Sequence, residues 1–212
     1  MSEVSASLRN TLEAGLAALK LELPAEAVQQ LLDYVALLHK WNRAYNLTAV
    51  RDPEQMISRH VLDSLSILEW VRGPRLLDVG AGAGLPGIVL AIARPQLAVT
   101  LYDSNGKKVR FQRQAIFELG LDNVTAVHAR VESLEDSTGF DQIVSRAFAS
   151  VEQFVDMTSK ALKPQGEWLA MVGQLKPLDA LPAGVSLVDS HSLEVPGENG
   201  SRHLQRLALV HG

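Results

Sequence analysis

The 212-residue sequence contains no cysteine, which excludes disulfide staples, thiolate–metal sites and any mechanism that needs a cysteine nucleophile. Aromatic residues make up only 5%, so the interior has to be built mainly from aliphatic side chains. No apolar run approaches the length of a membrane-spanning helix. Positive charge is not in excess either. The formal net charge is −4, whereas a chain that grips nucleic acid over a broad surface would be basic. Any nucleic-acid contact must therefore come from a local patch. The first ten residues have no basic stretch leading into an apolar one, so no signal peptide is expected. The six histidines show no metal-ligand spacing, and no metal is expected. These absences together point to a soluble, cytoplasmic protein; a monomer is expected.

What remains is an ordinary globular balance, 47% hydrophobic and 21% charged, sufficient for one sizeable domain with an appendage. Leu8, Leu12, Leu16 and Leu19 recur on one helical face. A second helix, opened by Pro24, carries Val28, Leu31, Leu32, Val35, Leu38 and Trp41 as its apolar stripe. Asp52-Pro53 has the chemistry of an N-cap followed by a first-turn proline, and predicts a further helix, with a break, to Trp70. After Gly73-Pro74 the pattern changes. Strands are expected at Arg75–Val79, Ala98–Tyr102, Val124–His128, Phe140–Ser145 and Glu167–Val172, with helices at Ile88–Ala93, Lys107–Leu119 and Val151–Leu162 between them. Val185–His191 and Leu204–Val210 alternate as a terminal hairpin. Strands separated by helices make an α/β fold: a doubly wound, mostly parallel seven-stranded sheet. The expected organisation is an N-terminal helical extension, residues 1–72, packed on a core of residues 73–212 as one structural unit.

The densest motif is Leu76-Leu77-Asp78-Val79-Gly80-Ala81-Gly82-Ala83-Gly84-Leu85-Pro86-Gly87. Ligands of open α/β sheets sit beyond the carboxyl ends of the strands, and Gly80, Gly82 and Gly84 let the backbone approach one closely. Gly82, Gly84 and Gly87 also satisfy the dinucleotide pattern, but charge argues against a dinucleotide. Asp78 would oppose an anionic pyrophosphate and favour the ammonium and sulfonium of S-adenosylmethionine, and Pro86 removes an N–H where a phosphate would want donors. Asp103, directly after Thr100-Leu101-Tyr102, is placed to accept from a ribose diol, which both ligands share. Past the third strand, the backbone and carboxylate at Val131-Glu132 can hold an adenine edge. Arg146, in Ser145-Arg146-Ala147-Phe148, falls at the strand end where methyl transfer would occur. Lys107, Lys108, Arg110 and Arg113, with Lys40, Arg43, Arg51 and Arg59, are positioned to meet RNA phosphates from two sides, or else to form solvated helix faces.

Several motifs together resemble a known family. They are His39-Lys40-Trp41-Asn42-Arg43-Ala44-Tyr45-Asn46-Leu47-Thr48, Arg59-His60-Val61-Leu62-Asp63-Ser64, the Gly80–Gly87 turn, Asp103-Ser104 with Lys107-Lys108, and Ser145-Arg146-Ala147-Phe148. In this order they resemble the bacterial 16S ribosomal RNA guanine-N7 methyltransferases, also called the glucose-inhibited division protein B family, over about Leu31 to Leu207. The resemblance implies a class I S-adenosylmethionine-dependent methyltransferase that modifies a guanine N7 of 16S rRNA near the decoding region, on naked RNA or in a small-subunit ribosomal particle. It also implies cofactor contacts at Gly80, Leu85, Val131, Glu132 and Arg146. The residues alone leave open a small-molecule methyltransferase, another RNA methyltransferase, an NAD-dependent oxidoreductase, and a non-catalytic RNA-binding or assembly protein. Guanine N7 carries no proton, so a catalytic base is not required; the enzyme's task is alignment and exclusion of water.

Cofactor choice can be checked directly. S-adenosylmethionine at 100-fold excess over its Kd should stabilise the fold by about 2.7 kcal/mol, read as a rise in melting temperature, with NAD giving little. A rise with NAD alone would overturn the assignment.

Overall fold

The computed structural model describes residues 3–134, 139–146, 148, 150–178 and 180–210; Ala147 of the Ser145–Phe148 motif lies outside them. Among the described residues no helix is long and apolar enough to cross a membrane.

Seven strands form one sheet in the order β3-β2-β1-β4-β5-β7-β6. They are β1 (Arg75–Val79), β2 (Ala98–Asp103), β3 (Val124–His128), β4 (Phe140–Arg146), β5 (Leu162–Val172), β6 (Val185–Ser192) and β7 (His203–Leu209). The first five pair in parallel, whereas β7 runs antiparallel to both β5 and β6. Alternation along β1 sends Leu76 to one side of the sheet and Leu77 and Val79 to the other, where they join two separate apolar clusters.

The larger cluster holds α1 (Glu3–Ala18), α2 (Ala25–Tyr45), α5 (Gly87–Ala93) and α6 (Gly106–Leu119) against the sheet through residues such as Leu12, Leu31, Leu38, Ile88 and Phe111. The smaller one buries Phe154 and Val155 of α7 (Val151–Thr158) with Trp168 of β5. Local chemistry sets the helix ends. Asn46 closes α2 in the left-handed region, its N–H donating to Asn42 O, a conformation asparagine tolerates better than most residues. Asp52 accepts from Glu54 N at 3.0 Å, with Pro53 at the first helical position. Asn105 accepts from Lys107 N and Lys108 N at 3.0 and 3.4 Å, so α6 starts one residue earlier than expected.

Two segments differ from expectation. The helix predicted over Val151–Leu162 stops at Thr158, and β5 already begins at Leu162, which pairs with Phe140. Pro164 biases its predecessor toward extended backbone, and the register shift between Phe140 and Gln142 absorbs it. The break expected between Asp52 and Trp70 is a change of helical pitch. Behind α3 (Pro53–Met56) comes a π-helical segment, Ile57–Leu62, and then the short α4 (Asp63–Leu65). Wide-pitch segments of this kind often occur at functional sites.

Helix α1 docks on the π segment so closely that a Cβ on Gly15 would stand 2.2 Å from Leu62 Cδ1 and 3.0 Å from its Cγ. Leu62 is itself buried and has nowhere to retreat. Gly15→Ala should gain about 1 kcal/mol of helix propensity and lose about 1–3 kcal/mol to overpacking. The expected net effect is a fall in stability in urea titrations. A rise would mean that α1 is only loosely docked.

Candidate active site

The glycine turn after β1 is held from three sides. Asp103, buried at the end of β2, accepts from Gly82 N through Oδ2 at 2.8 Å and from Asn105 N through Oδ1 at 2.8 Å. Gln112 of α6 donates to Gly82 O at 2.8 Å. The fully buried Tyr34 of α2 donates to Ala83 O at 2.8 Å, and burial pushes its phenol well above the usual range. Gly84 sits at φ +84°, and a Cβ there would meet Ile88 Cδ1 at 2.3 Å, so this position accepts only glycine.

A cavity of about 230 Å³ opens beside the turn, lined by Gly80, Asp103, Val131, Glu132 and Phe148 among others. The space beside Gly80 is open, with nothing within 4 Å of where its Cβ would be. Each Asp103 oxygen accepts one backbone N–H and retains acceptor capacity toward this space. The residues present therefore suit an adenosine. Gly84 and Leu85 are buried beneath the turn and border neither this cavity nor the larger one described below. Lys108 leans over the turn, its Nζ 4.0 Å from the Cβ position of Gly82. Lys107, Arg110 and Arg113 are exposed on α6.

Asp78 differs from its expected place. It is fully buried on the α5 side of the sheet, where Oδ2 accepts from Gly87 N at 2.7 Å and Oδ1 has no hydrogen-bond partner among the described residues. Its influence on a bound cation would act through space, not by contact. Desolvation raises its pKa from 3.8 to about 7, opposed by the Gly87 N–H and by Arg146.

Phe148 also lines a second cavity, of about 890 Å³, whose wall includes Arg59, His60, Asp63, Ser145, Arg146 and Arg202. Arg146, at the end of β4, donates through Nη1 to Asp63 Oδ2 and to Arg59 O, both at 3.1 Å. Asp63 is buried, and its other oxygen lies 3.3 Å from Arg202 Nε. His60 is buried as well. Desolvation, and then Arg146, lower its pKa to about 4, so the ring is neutral near pH 7. Its Nδ1, 3.0 Å from the Arg59 carbonyl, must be the donor. Nε2 therefore accepts from Thr48 Oγ1 at 2.8 Å. Thr48 is fixed in turn by Asn42, which accepts from Thr48 N and donates to Val50 O, each at 2.9 Å. The Trp41–Thr48 motif thus acts as a brace under the π segment.

The fold brings Gly80, Asp103, Val131 and Glu132 together around one cavity and sets Arg146 in the next. Sequence reasoning gave no role to Tyr34, Gln112, His60, Asp63, Glu198 or Arg202. Arg59–Ser64 stood out as a motif, but nothing local signals its partners, which lie up to 139 residues away. Among the described residues no group of three or more His, Cys, Asp or Glu side chains could hold a metal.

Solved structures share this architecture. A SAM-dependent methyltransferase from Aquifex aeolicus superimposes with a TM-score of 0.57 at 18% identity, covering 80% of this chain and 97% of that one. M. jannaschii TYW2 in complex with AdoMet gives 0.55 at 17%, over 71% and 76% of the two chains. The order of the strands, the glycine turn over an acidic strand end and these likenesses define a class I, Rossmann-like methyltransferase fold with added N-terminal helices. The profile of GidB, rRNA small subunit methyltransferase G, matches residues 27–204. Ribosomal RNA small subunit methyltransferase G of Chromohalobacter salexigens is 62% identical over 92% of this chain and 95% of the relative. Its counterpart in Marinobacter nauticus is 55% identical over 91% of each. The chain belongs to the GidB family.

The raised pKa of Asp78 has a signed consequence. The fold keeps the proton after the unfolded chain has released it, so stability falls as pH rises from about 4 to about 7 and then levels. Asp78→Asn removes this dependence. Relative to wild type, the variant should gain stability across that window by up to about 1.4 kcal/mol per pH unit, measured by urea unfolding at a series of pH values. A pH-independent difference between the two proteins would overturn the assignment.

Proposed function

We propose that this chain transfers the methyl group of S-adenosylmethionine to N7 of a guanine in 16S ribosomal RNA, near the decoding region. The observation that carries the proposal is the meeting of two cavities at Phe148: a nucleoside-sized cradle beside the glycine turn, and a larger cavity walled by three arginines. Family membership supplies the substrate class, since the relatives are small-subunit ribosomal RNA methyltransferases by name. The cytoplasm, where ribosomes are made, is the matching compartment, and the chain acts as a monomer.

In this proposal Asp103 binds the ribose hydroxyls, the Val131-Glu132 segment borders the adenine, and Gly80 and Gly82 allow close approach of the backbone. Gly84 and Leu85 act from below by fixing the turn. S-adenosylmethionine, when bound, supplies an electrophilic methyl group. The chain's own task is to admit one base, align its in-plane lone pair and exclude water. The buried titratable groups of the larger cavity fit a nucleophile that has no proton to lose. Both nitrogens of His60 are engaged, and Asp63 lies between two guanidiniums. Neither is free to act as a base. Arg146 orients the site by joining β4 to the π segment. Exposed Lys107, Arg110 and Arg113 on α6 offer phosphate contacts beside the cradle. Residues 1–72 and 73–212 function together because the N-terminal helices share the larger apolar cluster, and two clusters on opposite faces suit a doubly wound sheet.

The test is methyl transfer from labelled S-adenosylmethionine to 16S rRNA, naked and in small-subunit particles, followed by mapping of the modified base through chemical cleavage at 7-methylguanine. Label on an exocyclic amine, a ribose or a small molecule would overturn the proposal. Arg146→Ala leaves Asp63 short of a partner, a change that costs about 3–5 kcal/mol in buried pairs. Turnover should fall sharply, with Arg146→Lys restoring only part of it.

A further inference from the structure

The three guanidiniums of the larger cavity are graded by depth. Side-chain exposure is 47% for Arg59, 31% for Arg202 and 26% for Arg146. Arg146 is occupied on the inner wall, whereas Arg59 stands at the mouth. There both oxygens of Glu198, from the loop between β6 and β7, approach Arg59 Nε at 3.1 and 3.3 Å. Glu198 also lies 3.7 Å from Arg202 Nη2. Its side chain is only 11% exposed, and it does not line the cavity. It therefore holds the two arginines from behind. With Nε taken, the Nη1 and Nη2 groups of Arg59 have no partner among the described residues. An exposed Arg–Glu pair alone contributes little to stability. A guanidinium fixed through Nε by a nearly buried carboxylate, with its fork left free beside the larger cavity, is instead preorganised for a bidentate anion.

We propose that Arg59, with Arg202 beside it and Glu198 as the positioning residue, binds a backbone phosphodiester next to the base that enters the larger cavity. The proposal rests on the RNA substrate argued above. When a base enters a cavity its sugar-phosphate chain stays outside, so the phosphates must pass the mouth, where the charged fork is most exposed. This also answers the difficulty of a net charge of −4. Around this cavity Arg59, Arg146, Arg202 and Lys176 face Asp63, Glu152 and Glu198, so the local balance is positive although the chain is acidic.

The test uses the full chain with S-adenosylhomocysteine and a short single-stranded RNA containing one guanosine. It compares this RNA with the same oligonucleotide carrying neutral methylphosphonate linkages on both sides of that guanosine. Fluorescence anisotropy should show wild type losing about tenfold in affinity or more for the neutral version, the usual worth of a charge-assisted hydrogen bond. Arg59→Gln should bind both versions equally weakly, and Arg59→Lys should recover part of the difference. Cofactor affinity should be the same in all three proteins, which separates the effect from misfolding. Equal binding of both RNAs by wild type, or an undiminished difference in Arg59→Gln, would overturn the clamp. Displacement of the RNA by inorganic phosphate at matched ionic strength would mark a free-phosphate site and overturn it equally. Methyl transfer to 16S rRNA is scored separately. Loss of the phosphate effect in a chain that still methylates that RNA removes the clamp and leaves the enzyme. Phosphate dependence without methyl transfer does the reverse.

Discussion

The site depends on one buried carboxylate. Asp63 lies at the end of the π segment with one oxygen on Arg146 of β4 and the other beside Arg202, just ahead of β7. A buried charge left alone would cost several kcal/mol, so the three chain segments are held to one another electrostatically as well as by packing. Arg146 adds a bond to the Arg59 carbonyl, the same oxygen that receives the His60 ring proton. The π segment is thereby fixed to the carboxyl rim of the sheet. The geometry of the larger cavity follows from that attachment.

The glycine turn is organised differently, by neutral donors and one carboxylate spread over three elements. Tyr34, Gln112 and Asp103 reach it from α2, α6 and β2. They satisfy the Gly82 N–H and the Gly82 and Ala83 carbonyls, which lie close to an apolar core. Besides Gln112 Oε1, the oxygen left buried here with no hydrogen-bond partner among the described residues is Asp78 Oδ1. Its cost is met by a pKa near neutrality rather than by a hydrogen bond.

Much of this was legible in the sequence because it is local. The β1 strand, its glycines and Asp103 lie within 29 residues, and each carries its own signature of alternation, turn chemistry or strand-end charge. The cap at Asp52-Pro53 was legible for the same reason. The π pitch of Ile57–Leu62 was not, because tertiary packing around Leu62 and His60 selects it and the residue pattern is that of any helix. Nor was the end of α7, where the pairing of Leu162 with Phe140 overrides helical periodicity. Gln112 and Tyr34 read as helix-face residues. Their hydrogen bonds run to backbone carbonyls 30 and 49 residues away, and no side-chain pattern marks a carbonyl. The loop holding Glu198 and Arg202 acquires meaning only from residues far upstream.

The antiparallel direction of β7 carries a further consequence. Val172, at the carboxyl end of β5, pairs with His203, at the amino end of β7. A seventh strand running parallel would put the connection before it at the opposite edge of the sheet, away from the ligand. Reversal brings the β6–β7 connection back to the rim, yet that connection belongs to a hairpin at the sheet's margin and lies outside the parallel core. Apart from Glu198 and Arg202, which are tied to Arg59 and Asp63, its length and composition can therefore drift while directly reshaping the mouth of the cavity. Substrate discrimination in this architecture is in that sense modular: the parallel strands hold the chemistry constant, and one marginal hairpin is free to adapt to whatever RNA surface is presented.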